Sequence, residues 1–371
     1  MRRLIACSFF VMLPVLSFCQ VKGDVNGDGI VDVADITEIV NIIMHPEEEA
    51  IDKVYSLSLL SDVCVYSNNN HAAFTSLTDY RGDTIIAFRE GASHRPTSKE
   101  DYGHISMIQE NKGRWEKIAE LSHPDMDLRD PFFIKIGETL RMYCGYNQFL
   151  DDGRYQHSGT VYSDLTESGW SDLMPIEHDV PHIIWLWKIR KYNDTLYGVG
   201  YLEGEKPVLL RSSDGIEWKT ETEFMVEGIL SEADMVFSGD SIYVCLRQDS
   251  PTGSPSHWGK SKYPFKVFEW NTMDVSVASP ELLIHPKSNQ IFLAGRIYDY
   301  NKKPQKILVS LLEVSTSGET KEIYTFDTGE WGDKGYPSMM LNDKNLLLSY
   351  YLGMDNTSVH LAKFDLKKQD E

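Results

Sequence analysis

Apolar and polar residues alternate in short runs along most of this chain, and the runs recur. Each recurrence has an apolar strand, a tight polar turn and a second apolar strand. The turns with their second strands read RGDTIIAF, IGETLRMY, YNDTLYGV, SGDSIYVC, KSNQIFLAG and NDKNLLLSY. Their first apolar anchors are Ile85, Leu140, Leu196, Ile242, Ile291 and Leu346, separated by 55, 56, 46, 49 and 55 residues. Strict alternation over short runs is a strand signal, and GHISMIQE with GRWEKIAEL, GTVYSDL with GWSDLMPI and PVLLRSSD with IEWKTE predict third and fourth strands. Six all-β units of about 50 residues, with four short strands apiece, predict a six-bladed β-propeller over residues 50–371. The last unit, ending in VHLAKFDL, is short of strands. The unassigned run VYSLSLL at residues 54–60 completes it, closing the ring and leaving no free edge. A β-sandwich does not account for such even spacing.

The N-terminal residues follow different patterns. Arg2 and Arg3 precede an apolar run from Leu4 to Phe18, short for a bilayer span, which predicts a secretory signal peptide over residues 1–19. Ser17 and Cys19 put small side chains before a cleavage site at Gln20. The rival reading is a lipid anchor on Cys19, against which bulky Phe18 argues. No other segment is long and apolar enough to span a membrane, so the expected location is secreted, periplasmic or at the cell surface.

Residues 20–49 carry Asp24, Asn26, Asp28, Asp32 and Asp35 at loop positions 1, 3, 5, 9 and 12, with Gly29 at the sharp turn and the Ile30 carbonyl at position 7. Such an oxygen set suits calcium. The run from Ile36 to Met44 is apolar at Ile36, Ile39, Val40 and Ile43, a helical period. Aspartate rather than glutamate at position 12 makes the segment resemble a single dockerin repeat. The resemblance implies a cohesin-like partner, although a dockerin carries two repeats, and a spacer role stays open.

The net charge of -20 argues against a nucleic-acid backbone as partner. Beyond the signal, Cys64, Cys144 and Cys245 make no disulfide framework and are expected to be buried apolar side chains.

The repeat supplies a coordinate for function. In a propeller the innermost strand of each blade lines the central channel. Counting about ten residues back from each anchor gives the starts of these strands, near Ala73, Arg129-Asp130, Leu186-Trp187, Glu232, Glu281 and Tyr336. About five residues forward lie the ends of the second strands, near Arg89-Glu90, Gly145, Tyr201, Arg247, Arg296 and Tyr351. Arginines, carboxylates and aromatics in register at one mouth suit a polar ligand. Trp185 and Trp187 alternate, so both face one side of a strand as candidate pocket wall.

Ser212-Ser-Asp214-Gly215-Ile-Glu-Trp218 resembles the Asp-box turn of sialidases, one residue short. The ordered set FREGASH, DLRDP, WLW, SEAD, LRQD, AGR, GYPSM and LLSYY resembles bacterial exo-α-sialidase or BNR-repeat proteins of the sialidase superfamily. That resemblance implies a retaining glycoside hydrolase with Tyr336 as nucleophile and Glu232 as its base. It also implies that Arg247 and Arg296 grip a sugar carboxylate. The family's first-blade arginine is missing, since Ala73 occupies its position, and Arg89 or Arg129 would have to replace it. The proton donor is expected on the loop after the first blade's second strand, where Asp101 matches best by position and His94 and Glu90 are rivals. Asp130, His94 and Trp187 complete the expected sugar-binding set. Two further readings stay open: a glycan-binding propeller without chemistry, and an adhesion protein that works through its calcium segment.

Overall fold

The computed structural model describes residues 31–33, 36, 54–150, 154–202, 204–249, 254–299, 306–326, 332–342 and 344–368. The chain divides into two units, Met1–Asp52 and Lys53–Glu371. In the first, residues 1–19 and the loop residues Asp24, Asn26, Asp28, Ile30 and Asp35 lie outside the described residues. Asp32 is exposed, and Val33 and Ile36 are helical and exposed.

The second unit is built from short strands. In chain order they are β1 (Tyr55–Ser67), β2 (His71–Tyr80), β3 (Asp83–Gly91), β4 (His104–Asn111), β5 (Arg114–Leu121), β6 (Asp127–Ile136), β7 (Thr139–Phe149), β8 (Tyr155–Thr166) and β9 (Gly169–Trp170). There follow β10 (Met174–Pro175), β11 (Glu177–His178), β12 (Trp185–Tyr192), β13 (Thr195–Tyr201), β14 (Val208–Ser212), β15 (Glu217–Glu223), β16 (Ile229–Ser238), β17 (Ser241–Asp249) and β18 (His257–Lys262). The last are β19 (Glu269–Thr272), β20 (Val277–Ile284), β21 (Ile291–Asp299), β22 (Lys306–Val314), β23 (Thr320–Phe326), β24 (Asp333–Leu341), β25 (Asn345–Gly353) and β26 (Thr357–Lys368). A 3-10 turn at Lys99–Asp101 is the one helical element among the described residues of this unit. No described helix is long and apolar enough to cross a membrane.

The strands form an all-β propeller arrangement. Among the described residues they hydrogen-bond into five sheets rather than the six separate ones expected. β16–β19 and β20–β23 make four-stranded sheets, and β6–β10 and β11–β15 make five-stranded ones. The eight-stranded sheet joins β24, β25, β26 and β1 to β2, β3, β4 and β5. Its halves meet where His71 pairs in parallel with Thr357, so the first and last units share one sheet. β1 lies antiparallel on β26 from Tyr55↔Lys368 to Ser67↔Ser358, covering its outer edge with main-chain hydrogen bonds. The strand alternation sends Val65 into the core and leaves Cys64 exposed, which corrects the expectation for that cysteine; Cys144 and Cys245 are buried.

All six sequence anchors lie on second strands and are buried. Neighbouring sheets pack face to face on such residues. Trp218, fully buried, packs in one cluster with Phe132, Tyr143 and Leu210. The turn before it holds itself together. Asp214 Oδ1 accepts from the backbone N–H groups of Ile216 (2.8 Å) and Glu217 (3.0 Å), and Trp218 Nε1 donates to the Gly215 carbonyl at 3.1 Å. Gly215 has φ +74, and a Cβ there would meet Tyr143 Oη at 2.3 Å, so glycine suits both the backbone and the contact.

Deeper in the channel a buried ion network ties three inner strands. Lys188 Nζ (β12) lies 2.9 Å from Glu281 Oε2 (β20). Arg190 pairs with Asp234 (β16) and lies 3.4 Å from Glu281 Oε1. Glu281, expected near the mouth, therefore belongs to the channel interior.

Candidate active site

Each inner strand departs from regular pairing at the same place. The ladders β2–β3, β6–β7, β12–β13, β16–β17, β20–β21 and β24–β25 shift register at Ala73/Ser76, Arg129/Phe132, Trp187/Ile189, Leu230/Ala233, Ala278/Glu281 and Gly335/Ser338. A bulge leaves residues unpaired and re-aims their side chains. Five of the six carry a left-handed residue: Phe74 (φ 60), Asp130 (φ 49), Lys188 (φ 39), Ser279 (φ 48) and Tyr336 (φ 45). Pro131, Pro280 and Pro337 follow three of them, at positions where no ladder N–H is needed.

Tyr336 and Glu232 meet at these bulges. The Tyr336 hydroxyl donates to Glu232 Oε1 at 2.6 Å. Glu232 Oε2 lies 2.7 Å from Arg247 Nη1 and accepts from the Ser279 backbone N–H at 2.6 Å. Burial alone would raise the Glu232 carboxyl, but Arg247 and these hydrogen bonds hold it below the ordinary carboxylate value. Burial, reinforced by Glu232 and Asp130, pushes the Tyr336 phenol well above its usual value. A phenol of this kind does not ionise by itself. It can pass its proton to Glu232 as its oxygen bonds to carbon.

Arg247 is also paired with Asp249 Oδ1 at 2.6 Å. Arg296 lies over the Tyr336 ring, 5.2 Å from its centroid. Its guanidinium donates to the Lys334 carbonyl (2.5 Å), Asp333 Oδ1 (3.0 Å) and Tyr351 Oη (2.8 Å). Gly335 makes this path possible, since a Cβ there would lie 3.0 Å from Arg296. Asp333 is a hub: Oδ1 also accepts from the Tyr351 hydroxyl at 2.6 Å, while Oδ2 takes His71 Nε2 at 2.7 Å and His94 Nδ1 at 2.6 Å. Although burial opposes ionisation, these partners hold the Asp333 carboxyl well below its ordinary value.

Arg129 brings a third guanidinium to this group, 4.7 Å from the centroid of Phe74, whose ring in turn lies 4.7 Å from that of Tyr336. Beside Arg129 a cleft of about 620 Å³ opens, lined by Trp185, Tyr201, Phe149, Tyr155 and Asn147 among others. That volume suits a small ligand. Gly145 shapes it, because a Cβ there would lie 2.0 Å from the Trp185 indole. Trp187 is buried and lies edge-on to Tyr336 at 5.8 Å, as a wall beneath it. Asp130 borders a narrow space of about 20 Å³ with Trp187 and Tyr336, and burial pushes its carboxyl up to about 7 against the pull of Arg129.

Two expected site residues sit elsewhere. Arg89 is fully buried, bonded through Nη2 (2.6 Å) and Nε (3.1 Å) to Asp127 Oδ1 and through Nη1 (2.8 Å) to the Ser93 carbonyl. Buried and held by these three bonds, it braces the loop instead of facing a ligand. Asp101 stands on the 3-10 turn, where hydrogen bonds from Thr97 hold its carboxyl low, the opposite of what a proton donor needs. Asp333 and His71 were not singled out from sequence. The available signal was phase: Asp127 and Asp333 each open an inner strand and each bind the arginine that ends the preceding unit's second strand.

No family profile and no curated protein matches the chain. Solved structures do. Trypanosoma rangeli sialidase, as its covalent intermediate with 2,3-difluorosialic acid, superposes with a TM-score of 0.60 at 13% identity, over 84% of this chain and 59% of that one. Phage phi92 endosialidase gives 0.58 at 8% identity, over 86% and 70%. NanB sialidase from Streptococcus pneumoniae, as its K499G mutant, gives 0.56 at 8% identity, over 82% and 70%. The chain spans less than two thirds of the trypanosomal enzyme, and at these identities what is shared is the fold: this is a sialidase-like β-propeller.

Proposed function

We propose that this protein is a glycoside hydrolase of sialidase type, which removes a terminal acidic sugar from glycans by a retaining mechanism. The carrying observation is the 2.6 Å hydrogen bond from Tyr336 to Glu232 amid three arginines. Arg129, Arg247 and Arg296 each act electrostatically on the Tyr336 phenol. Three cations around a nucleophile suit an anomeric carbon that bears a carboxylate, which would repel an anionic nucleophile. On this reading Arg129 takes over from the arginine absent at Ala73. Glu232 accepts the phenol proton as Tyr336 attacks, and a glycosyl–tyrosine intermediate is hydrolysed by water. The aromatic cleft beside Arg129 receives the rest of the glycan.

The reading includes six blades, supported by six bulged inner strands, and an Asp-box at Ser212–Trp218. It also includes secretion directed by residues 1–19 and a calcium ion held by residues 24–35 for a cohesin-like partner. Calorimetric titration of the full chain with calcium tests that segment. A second reading, glycan binding without turnover, is favoured by one observation: Arg247 and Arg296 are already paired with Asp249 and Asp333. Hydrolysis of a panel of sialylated and other acidic glycans separates the two. Sugar release by the wild type that Tyr336→Phe abolishes supports the hydrolase, and binding without release, unchanged by Tyr336→Phe, refutes it.

A further inference from the structure

We infer that His94, aligned by Asp333, is the general acid–base of this site, in place of a carboxylate. The inference rests on the hydrolase reading and goes beyond it. His94 lies on the loop between β3 and the 3-10 turn, and that loop is anchored from below. Arg89 holds the Ser93 carbonyl at 2.8 Å, and Arg129 Nη2 donates to the His94 carbonyl at 3.4 Å. Gly91 and Gly103 leave Arg89 its room, since a Cβ at either would come within 2.8 or 2.3 Å of its guanidinium group.

The ring is fixed as well. Its Nδ1 lies 2.6 Å from Asp333 Oδ2, and Asp333 is itself held by Arg296 and Tyr351. Donation of Nδ1–H to a carboxylate sets the tautomer and leaves Nε2 as the working nitrogen. The side chain is 39% exposed, unlike that of His71, which shares Asp333 and is buried. The His94 ring stands edge-on to Phe74 at 5.3 Å, and Phe74 touches Tyr336 at 4.7 Å. One aromatic ring thus separates the acid–base from the nucleophile.

The carboxylates nearby do not compete. Glu90 is held ionised by His104, 3.6 Å away, and by hydrogen bonds from Asn70, Ser106 and Tyr66, and Asn68 donates to it as well. Asp101 is tied to Thr97. The Oδ1 atom of Asp130 is buried with no hydrogen-bond partner, on the channel side of Tyr336, away from the open cleft.

As the Tyr336 oxygen bonds to the anomeric carbon, Glu232 takes the phenol proton. The bond to the leaving oxygen breaks with its electron pair, and that oxygen takes a proton from the Nε2–H of the imidazolium. Water then attacks the anomeric carbon and gives a proton to neutral Nε2, while Glu232 returns its proton to the departing phenolate. The groups facing His94 are Asp333 from β24, Arg129 from β6 and His71 from β2. Burial lowers the imidazole, Asp333 raises it, and Arg129 and His71 lower it further, for a net downward shift. The acid form is therefore present at low pH and lost as pH rises through a value below 6.5.

His94→Asn is the decisive variant, because its amide replaces Nδ1 toward Asp333 and leaves nothing in place of Nε2. It is assayed on α-glycosides of N-acetylneuraminic acid carrying 4-methylumbelliferone or lactose as leaving group. A general acid contributes about 10²–10⁴-fold, and least where the leaving group is already acidic. We expect kcat/KM on sialyllactose to fall at least about 100-fold, the aryl glycoside to lose less than about tenfold, and the alkaline limb to vanish. Equal losses on both substrates, full activity, or this same pattern in Asp130→Asn instead overturn the assignment. No turnover of these substrates or of any other acidic glycan in the panel by the wild type, or turnover that survives Tyr336→Phe, overturns the hydrolase reading itself.

Discussion

Glu232→Gln tests the site at its centre. Three donors converge on the Glu232 carboxylate: the Tyr336 hydroxyl at 2.6 Å, Arg247 Nη1 at 2.7 Å and the Ser279 N–H at 2.6 Å. An amide has one acceptor oxygen, so its NH2 group must face one of them. The guanidinium and the backbone N–H cannot reverse their roles, but a hydroxyl can. The amide oxygen therefore stays with Arg247 and Ser279, and Tyr336 turns its proton away and accepts. Its proton has then lost its destination.

Loss of a general base costs about 10²–10⁴ in rate, or about 2.7–5.5 kcal/mol of barrier. The fold should lose less. Breaking a buried pair strands an ion at about 3–5 kcal/mol, but Arg247 keeps Asp249 at 2.6 Å, so about 1–3 kcal/mol is expected. The assay is kcat/KM on 4-methylumbelliferyl N-acetylneuraminide across pH, with a melting curve. Glu232 is held below 4.5, so the base form is present above that value and activity falls as pH drops through the folded value. The variant should lack this acid limb. A variant that keeps more than about a tenth of kcat/KM, or retains the limb, refutes the assignment of Glu232 as base.

Trp218→Ala empties a fully buried site and should cost about 3–5 kcal/mol, read by urea denaturation. Lys188→Met leaves Glu281 in the channel with Arg190 at 3.4 Å, and should cost about 3–5 kcal/mol; with Glu281→Gln added, the total should fall short of the sum of the single costs, and additivity would refute the coupling. Gly145→Ala places a methyl 2.0 Å from the Trp185 indole, which must leave the cleft; KM should rise roughly tenfold, about 1.4 kcal/mol, with kcat nearly unchanged. The Asp333 carboxyl is lowered in the folded state, so its stabilisation is present above its unfolded value and lost as pH falls through the folded one. Asp333→Asn should flatten that acid part of the melting-temperature profile.

Much of the propeller could be read from the chain because each unit buries the same apolar position. Ile85, Leu140, Leu196, Ile242, Ile291 and Leu346 recur for that reason, and the leftover strand found its partner in β26. The hydrogen bond between Tyr336 and Glu232 was legible through phase together with a residue order that resembles that of sialidases. What failed was local. Arg89 and Arg296 have the same phase and each binds the aspartate that opens the next inner strand, Asp127 or Asp333, but Gly91 and Gly103 let a loop close over Arg89, and no spacing rule shows that. Glu281 sits just past the bulge, where the register shift turns it into the channel toward Lys188. Asp101 matched by loop position until the 3-10 turn carried its carboxylate to Thr97.

These successes and failures have one origin in the bulges. A regular strand sends alternate residues to opposite faces, so no strand would present its start along the axis. The bulge breaks that alternation, and a left-handed residue there costs about 1–3 kcal/mol, sustained only where the surroundings over-determine it. Here the surroundings are the neighbouring bulges. Glu232 accepts from the Ser279 N–H, Ser279 Oγ accepts from the Tyr336 N–H at 3.2 Å, and Thr75 Oγ1 donates to the Tyr336 carbonyl at 2.9 Å. Ser349 extends the chain by donating to Thr75 Oγ1 at 3.0 Å. The inner strands β16, β20, β24 and β2 thus fix one another by hydrogen bonds to main chain at the bulges. The distance between the Tyr336 hydroxyl and Glu232 follows from that chain of bonds, and side chains on the cleft wall can vary without moving it.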